Sequence, residues 1–223
     1  MTTLLDENIK KEVQEVFSGL TLPVEIHFFG NHRDNCEYCT DTAELLNEVA
    51  SLSDKIVLKT FDIHTNQQEA AYYKIDKTPG FVILGRVNED LIDNGIRFAG
   101  IPAGHEFTSL INTLLMVSKG DSGLTPETRA ALRNLENPVL LQVFVTPSCP
   151  YCPRAVVLAH QMAFESQMVE AEMVEALEFK NLADQFGVSG VPHTVINSGM
   201  AEVVGAVPED YLLSKIKQAF TST

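Results

Sequence analysis

Basic residues are scarce in this chain of 223 residues: 16 Lys and Arg stand against 30 Asp and Glu, a formal charge of −14. That balance repels phosphate backbones and anionic headgroups, which argues against nucleic acid and membrane surfaces as partners. No apolar run approaches the roughly 18 residues that a spanning helix needs. The opening residues, Met1-Thr2-Thr3-Leu4-Leu5-Asp6-Glu7, lack the basic and apolar regions of a secretory signal, so the expected location is the cytoplasm. There is no glycine-rich dinucleotide fingerprint either. Cysteine is sparse too, four residues in all, at 36, 39, 149 and 152. Both pairs are spaced CxxC, and in a reducing compartment such pairs are more often catalytic or metal-binding than structural.

What is present is ordinary globular material, 45% hydrophobic, long enough for one large or two small domains with a core that needs no staples. Its organising stretch is Thr146-Pro147-Ser148-Cys149-Pro150-Tyr151-Cys152-Pro153. The run before it, Val139 to Val145, reads as a buried strand. The run after it, Arg154 to Met168, repeats apolar residues at helical spacing. Two cysteines at such a junction place the first sulfur over unpaired N–H groups at the positive end of a helix, where a thiolate is stabilised. Pro150 and Pro153 suit a first helical turn, where the missing N–H would lack a partner anyway. A zinc knuckle is the competing reading. Its second pair usually lies about 15 to 20 residues further on, whereas here the other pair is far upstream.

Read in order, the chain opens with an amphipathic helix over 4–18, followed by a strand over 23–29. A polar loop then leads to Cys36-Glu37-Tyr38-Cys39, and helical spacing resumes from Thr42 to Leu52. A strand over 56–61, a short helix over 67–73 and Lys77-Thr78-Pro79-Gly80 come before a strand over 81–84. A loop of turn formers is expected over 85–95, then a strand over 96–99 and a helix over 104–118. The polar segment 118–123 is the expected boundary, dividing the chain into 1–119 and 120–223. Thr125-Pro126 caps a helix through Leu135. The second half then repeats the first: strand 138–145, CxxC, helix, strand 168–174, helix 178–186, Gly190-Val191-Pro192, strands 193–196 and 202–205, and a helix over 209–220.

The repeat can be counted. Cys149 lies 113 residues after Cys36, and Pro192 lies 113 residues after Pro79. Two tandem copies of one redox unit account for both spacings. These residues resemble the thioredoxin superfamily, and Cys149-Pro150-Tyr151-Cys152 is the glutaredoxin form of its motif. Over essentially its whole length the chain resembles the glutaredoxin-like protein disulfide oxidoreductases, which carry two such units, each with CxxC. That resemblance implies an α/β fold of two tandem thioredoxin-like domains, each a four-stranded mixed sheet flanked by helices. It also implies cis peptides facing the motifs, at Thr78-Pro79 and Val191-Pro192.

The chemistry expected is thiol-disulfide exchange on proteins, without a bound cofactor or metal. Cys149, expected to be exposed at the helix start, is assigned as nucleophile and Cys152 as resolving thiol, with Cys36 and Cys39 in the corresponding roles. Glu37 sets a negative charge between the first pair of sulfurs, which His32 and Arg33 oppose only if they fold back, so Cys149 is expected to be the more acidic and more reactive. Tyr38 and Tyr151 are expected to shape the exposed surface. The strand before Cys149 offers only Gln142 in place of a buried acid, leaving Glu170 and Glu172 as candidates to take the resolving thiol's proton. A solvent-facing state is the commoner one for both. His193 is expected to hold a structural hydrogen bond.

The resemblance implies electrons from NADPH through a thioredoxin reductase-like flavoprotein, protein disulfides as substrates, and a peroxiredoxin as a further partner. A dedicated carrier between such a reductase and a peroxiredoxin is the alternative, like the tandem N-terminal domain of flavoprotein peroxiredoxin reductases. That relative has usually lost the first CxxC, which this chain keeps. A thiol-dependent metal-binding module is the reading from a different class. A glutathione-dependent enzyme is disfavoured because Arg154 is the lone basic residue near the motif.

Overall fold

The computed structural model describes residues 4–31 and 36–220. The first half runs α1 (Glu7–Phe17), β1 (Val24–Gly30), α2 (Cys39–Ser51), β2 (Ile56–Asp62), α3 (Gln67–Tyr72), β3 (Gly80–Val87), β4 (Asp90–Ala99) and α4 (Phe107–Lys119), with a 3-10 turn at Gly104–Glu106. The second half runs α5 (Pro126–Arg133), β5 (Val139–Val145), α6 (Cys152–Glu165), β6 (Val169–Glu175), α7 (Lys180–Gln185), β7 (His193–Ile196), β8 (Ala201–Val204) and α8 (Glu209–Gln218).

Local chemistry sets several of these ends. Asp6 caps α1 by accepting from the Asn8 and Ile9 amides at 2.9 Å each, so the helix starts at Glu7 and not at Leu4. Leu4 and Leu5 instead donate their amides to the Glu48 carboxylate, and Leu5 joins the core. Thr125 caps α5, with Pro126 in its first turn. Gly120 ends α4 in the left-handed region, φ 69°.

Among the described residues the strands form one eight-stranded sheet, ordered β2-β1-β3-β4-β6-β5-β7-β8. Each half supplies four neighbouring strands: a parallel pair, β1 with β2 and β5 with β6, then two antiparallel additions. The halves join where β4 pairs parallel with β6, from Ile96↔Ala171 to Ala99↔Val174. Neither strand is left as an open edge at the seam, so two four-stranded sheets become one.

The structure corrects the loop expected over 85–95. These residues continue β3 and β4 into a hairpin that turns at Asn88-Glu89, with Asn88 at φ 56°. Gly85, Asn88, Asp90 and Asn94 read as turn formers, but Gly85↔Ile92 and Arg86↔Leu91 pair across the ladder. Partner strands on the sheet override the weak local preference.

The core also crosses the seam. One cluster of buried residues contains Ile26, Leu46, Phe81 and Phe98 of the first half with Val143, Val156, Ala171 and Ile216 of the second. Phe81 and Phe98 stack with centroids 4.5 Å apart, and Phe98 lies 4.8 Å from the His160 ring of α6. Fully burying Phe98 contributes about 2–3 kcal/mol. Thr113 of α4 and His160 are joined at 2.9 Å between Oγ1 and Nδ1, so α4 and α6 share polar as well as apolar contacts. On β1, the buried Glu25 is held by Lys59 and His27 at 2.9 Å each and by Arg86. Burial alone would raise its pKa, but hydrogen bonds from Arg86, His27 and Lys59 outweigh that and hold it at about 2.

Candidate active site

Both cysteine pairs sit where a parallel strand hands over to a helix. Cys39 and Cys152 are the first residues of α2 and α6, and their partners lie one turn earlier. Each pair is closed as a disulfide, with Cα atoms 5.4 Å apart for Cys36–Cys39 and 5.5 Å for Cys149–Cys152. The loop before the first motif is two residues longer, because β5 begins 115 residues after β1 (139 against 24) while the leading cysteines are 113 apart. His32 and Arg33 lie outside the described residues.

The Cys152 amide donates to Cys149 Sγ at 3.2 Å, an N–H of the first helical turn aimed at the leading sulfur. The Val191 carbonyl lies 3.7 Å from that sulfur. The Val191-Pro192 bond is cis, and so is Thr78-Pro79, which lines one cleft together with Cys36. Pro150 and Tyr151 are exposed, and Cys152 is fully buried. Cys149 is only 8% exposed, whereas Cys36 is half-buried, so the leading cysteine of the second pair is the more buried residue. This differs from the exposed helix start that the sequence suggests. A turn from the first half is fastened to the loop before this motif: the His105 amide donates to the Pro147 carbonyl at 2.9 Å. Gly104 adopts φ 59°, and a Cβ there would run into the same carbonyl.

Next to this contact is Glu106, a residue that the sequence reading passed over. It is 1% exposed, and its turn packs against α6. One carboxylate oxygen accepts from the Ser109 hydroxyl at 2.5 Å, while Oε1 has no protein partner. Burial, only partly offset by Ser109, raises its pKa to about 7. The signal was available: Glu106, Ser109 and Thr113 follow i, i+3, i+7 spacing along one face of an otherwise apolar segment.

The two carboxylates suggested by the sequence are already engaged. Glu170 pairs with Lys74. Glu172 accepts from Gln142 at 2.9 Å and pairs with Lys77 at 3.0 Å. It is buried rather than solvent-facing, where β4 of the first half pairs alongside β6 and Lys77 reaches its carboxylate. His193 is buried and bonds Glu202 at 2.9 Å, a structural contact between β7 and β8. Among the described residues no group of three or more His, Cys, Asp or Glu is placed to hold a metal ion. No helix among them is long and apolar enough to cross a membrane.

The first pair opens into a cleft of about 530 Å³ with a different lining. Glu37, Tyr38 and Asp41 come from its own motif and helix, Thr78 and Pro79 from the facing loop, and Glu175, Leu177 and Glu178 from the second half. Burial raises the pKa of Glu178 to about 7, opposed in part by the hydrogen bond from the Ile101 amide and assisted by the nearby charges of Glu175 and Glu37. The Tyr38 hydroxyl is shifted upward first by Glu37, then by slight burial, and also by Glu178 and Glu175. Charge from the second half therefore reaches the first motif.

Against known proteins, residues 139–218 match the thioredoxin domain model. A protein disulfide oxidoreductase from Aeropyrum pernix K1 superposes with TM-score 0.87 at 31% identity, over 96% of this chain and 94% of that one. The NTD_N/C domain of alkylhydroperoxide reductase AhpF from Enterococcus faecalis (V583) gives 0.85 at 27%, over 95% and 99%. Among curated proteins, the AhpF polypeptide of alkyl hydroperoxide reductase from Pseudomonas aeruginosa is 27% identical over 96% of this chain. The chain spans only 37% of that protein's length. With near-complete coverage at 31% identity, two CxxC disulfides and the mixed sheet of tandem thioredoxin folds, the chain belongs to the protein disulfide oxidoreductase family.

Proposed function

We propose that the protein transfers disulfides to and from other proteins through both CxxC pairs, in two units covering 1–119 and 120–223. The observation that carries this is the setting of Cys149: a sulfur that has a helix-start N–H at 3.2 Å and the Val191 carbonyl at 3.7 Å. In the reducing direction the Cys149 thiolate attacks a substrate disulfide, forms a mixed disulfide and expels one substrate thiolate. The Cys152 thiolate then attacks Cys149 Sγ and expels the second. Two electrons pass to the substrate, and the protein pair is left oxidised. Cys36 and Cys39 run the same sequence at the first site. Thr78-Pro79 and Val191-Pro192 offer backbone to an extended substrate strand, and Pro150, Tyr151, Glu37 and Tyr38 form the surface it meets.

For the second site, Glu106 is our assignment as acceptor of the Cys152 proton. It is a buried carboxyl with one open oxygen, on a turn packed against α6, with a pKa near neutrality. The second site is the more acidic and more reactive of the two, because the first is ringed by Glu37, Asp41, Glu175 and Glu178. The protein works in the cytoplasm on protein thiols and disulfides. It draws electrons from NADPH through a thioredoxin reductase-like flavoprotein.

A second reading is supported by the likeness to AhpF: a dedicated carrier from such a flavoprotein to a peroxiredoxin. Mixed-disulfide trapping separates the two. Cys39→Ser and Cys152→Ser variants in cell extract are expected to hold many different proteins. Capture of a peroxiredoxin alone favours the carrier, and no capture at either site defeats both.

A further inference from the structure

The cleft at Cys36 is built from both halves of the molecule, and its second-half wall is held in place by specific contacts. The Ile101 amide donates to Glu178 Oε1 at 2.7 Å, and the Gly100 amide to the Pro79 carbonyl at 2.8 Å. Gly100 has φ 97°, and a Cβ there would lie 2.6 Å from Glu175 Cβ and 2.8 Å from Glu178 Oε1. Only glycine lets this wall approach the facing proline loop so closely.

Glu175 is 3% exposed, yet its Oε1 finds no protein partner while the residue lines the cleft. A buried carboxylate oxygen left open is costly unless something completes it. Glu178 Oε2 is likewise buried without a partner. Between them Leu177 stands 73% exposed, an apolar contact on the rim of an acidic groove. Glu37 and Asp41 close the opposite side, and among the described residues no Lys, Arg or His lines the cleft.

We propose that this cleft docks a cationic segment of the substrate protein, so that the second half of the chain sets the charge specificity of the first half's cysteine pair. A lysine or arginine beside the substrate's disulfide meets Glu175 and Glu178, and an apolar neighbour rests on Leu177. At the second pair the recorded neighbours of the leading sulfur are the Cys152 amide and the Val191 carbonyl, and the motif residues beside it, Pro150 and Tyr151, carry no charge. The two sites therefore serve different substrates. This rests on the first pair being an exchange site, but the docking step itself needs no redox chemistry.

Binding can therefore be read without turnover. Two cysteine-free fluorescent peptides, one with Lys and one with Glu flanking the same apolar centre, are titrated by anisotropy into the oxidised protein. The Lys peptide is expected to bind about tenfold more tightly, from a few favourable charge contacts. Glu175→Gln/Glu178→Gln is expected to reduce that preference to about twofold, and the exposed Glu37→Gln, which carries no folding risk, to reduce it in part. Equal affinity for the two peptides, or a preference unchanged in both variants, overturns the proposal. A kinetic arm locates the groove. Cys149→Ser/Cys152→Ser should reduce a Lys-flanked peptide disulfide faster than a Glu-flanked one, whereas Cys36→Ser/Cys39→Ser should not discriminate. A preference confined to the second pair overturns the proposal. Charge-selective binding by a protein that exchanges no disulfide supports the groove and counts against the redox assignment instead.

Discussion

Replacing Glu106 by Gln should stabilise the protein at alkaline pH and leave it nearly unchanged in mild acid. The carboxyl is 1% exposed, holds one hydrogen bond from Ser109 and leaves Oε1 open. Burial raises its pKa from 4.5 to about 7. The folded state therefore keeps a proton that the unfolded chain gives up near pH 4.5. Stability falls as pH rises from 4.5 and levels off above about 7. The gap between those values corresponds to about 3 kcal/mol, an upper bound because a buried site relaxes when it ionises. Gln cannot ionise, so this slope vanishes in the variant. Urea unfolding at pH 5 and pH 8 reads the difference directly, because every other titrating group is common to both proteins. At pH 8 the variant is expected to gain about 1–3 kcal/mol over the parent, and at pH 5 about zero. A variant less stable than the parent at pH 8, or a difference that ignores pH, would refute the claim that Glu106 is buried at a cost.

Gly104→Ala forces a side chain into the Pro147 carbonyl at positive φ, and is expected to cost at least about 2 kcal/mol in urea. Its effect on exchange should reach both pairs, since Pro147 precedes the second motif and also lines the cleft of the first. His160 is pushed down to about 3 by burial, and its ring is expected to stay neutral in NMR spectra down to about pH 4. Stability from that neutral ring is complete above pH 6.5 and is lost as pH falls toward 3, since the unfolded chain takes up the proton first. A ring midpoint above 6 would show that the site is open to water. Glu37→Gln and Glu178→Gln each remove charge beside Cys36 and should speed its alkylation by iodoacetamide at pH 8 without changing that of Cys149. Equal acceleration at both cysteines would mean that the acidic ring is not local.

The placement of the two cysteine pairs was largely legible because its signals are local. A cysteine pair between a strand pattern and a helix pattern marks itself, and the shared spacing of 113 residues from Cys36 to Cys149 and from Pro79 to Pro192 exposes the repeat. The seam was not legible. Pairing of β4 with β6 joins residues such as Phe98 and Met173 that no short-range pattern links. That same seam buries Glu172, brings Glu175 and Glu178 to the first cleft and sets Glu106 beside α6, so side chains close to one cysteine pair come from the other half. The hairpin at 85–95 was misread for a related reason. Gly85, Asn88 and Asn94 carry turn propensity, and only the neighbouring strands decide otherwise.

The central claim is that a sulfur seated at each helix start carries the chemistry. Reduction of insulin disulfides by dithiothreitol, with catalytic amounts of the Cys36→Ser/Cys149→Ser protein, tests it most directly. The catalysed rate is expected to drop about a hundredfold or more, to the level of dithiothreitol alone. A rate within about twofold of the parent would contradict it, because exchange would then proceed without either leading thiolate.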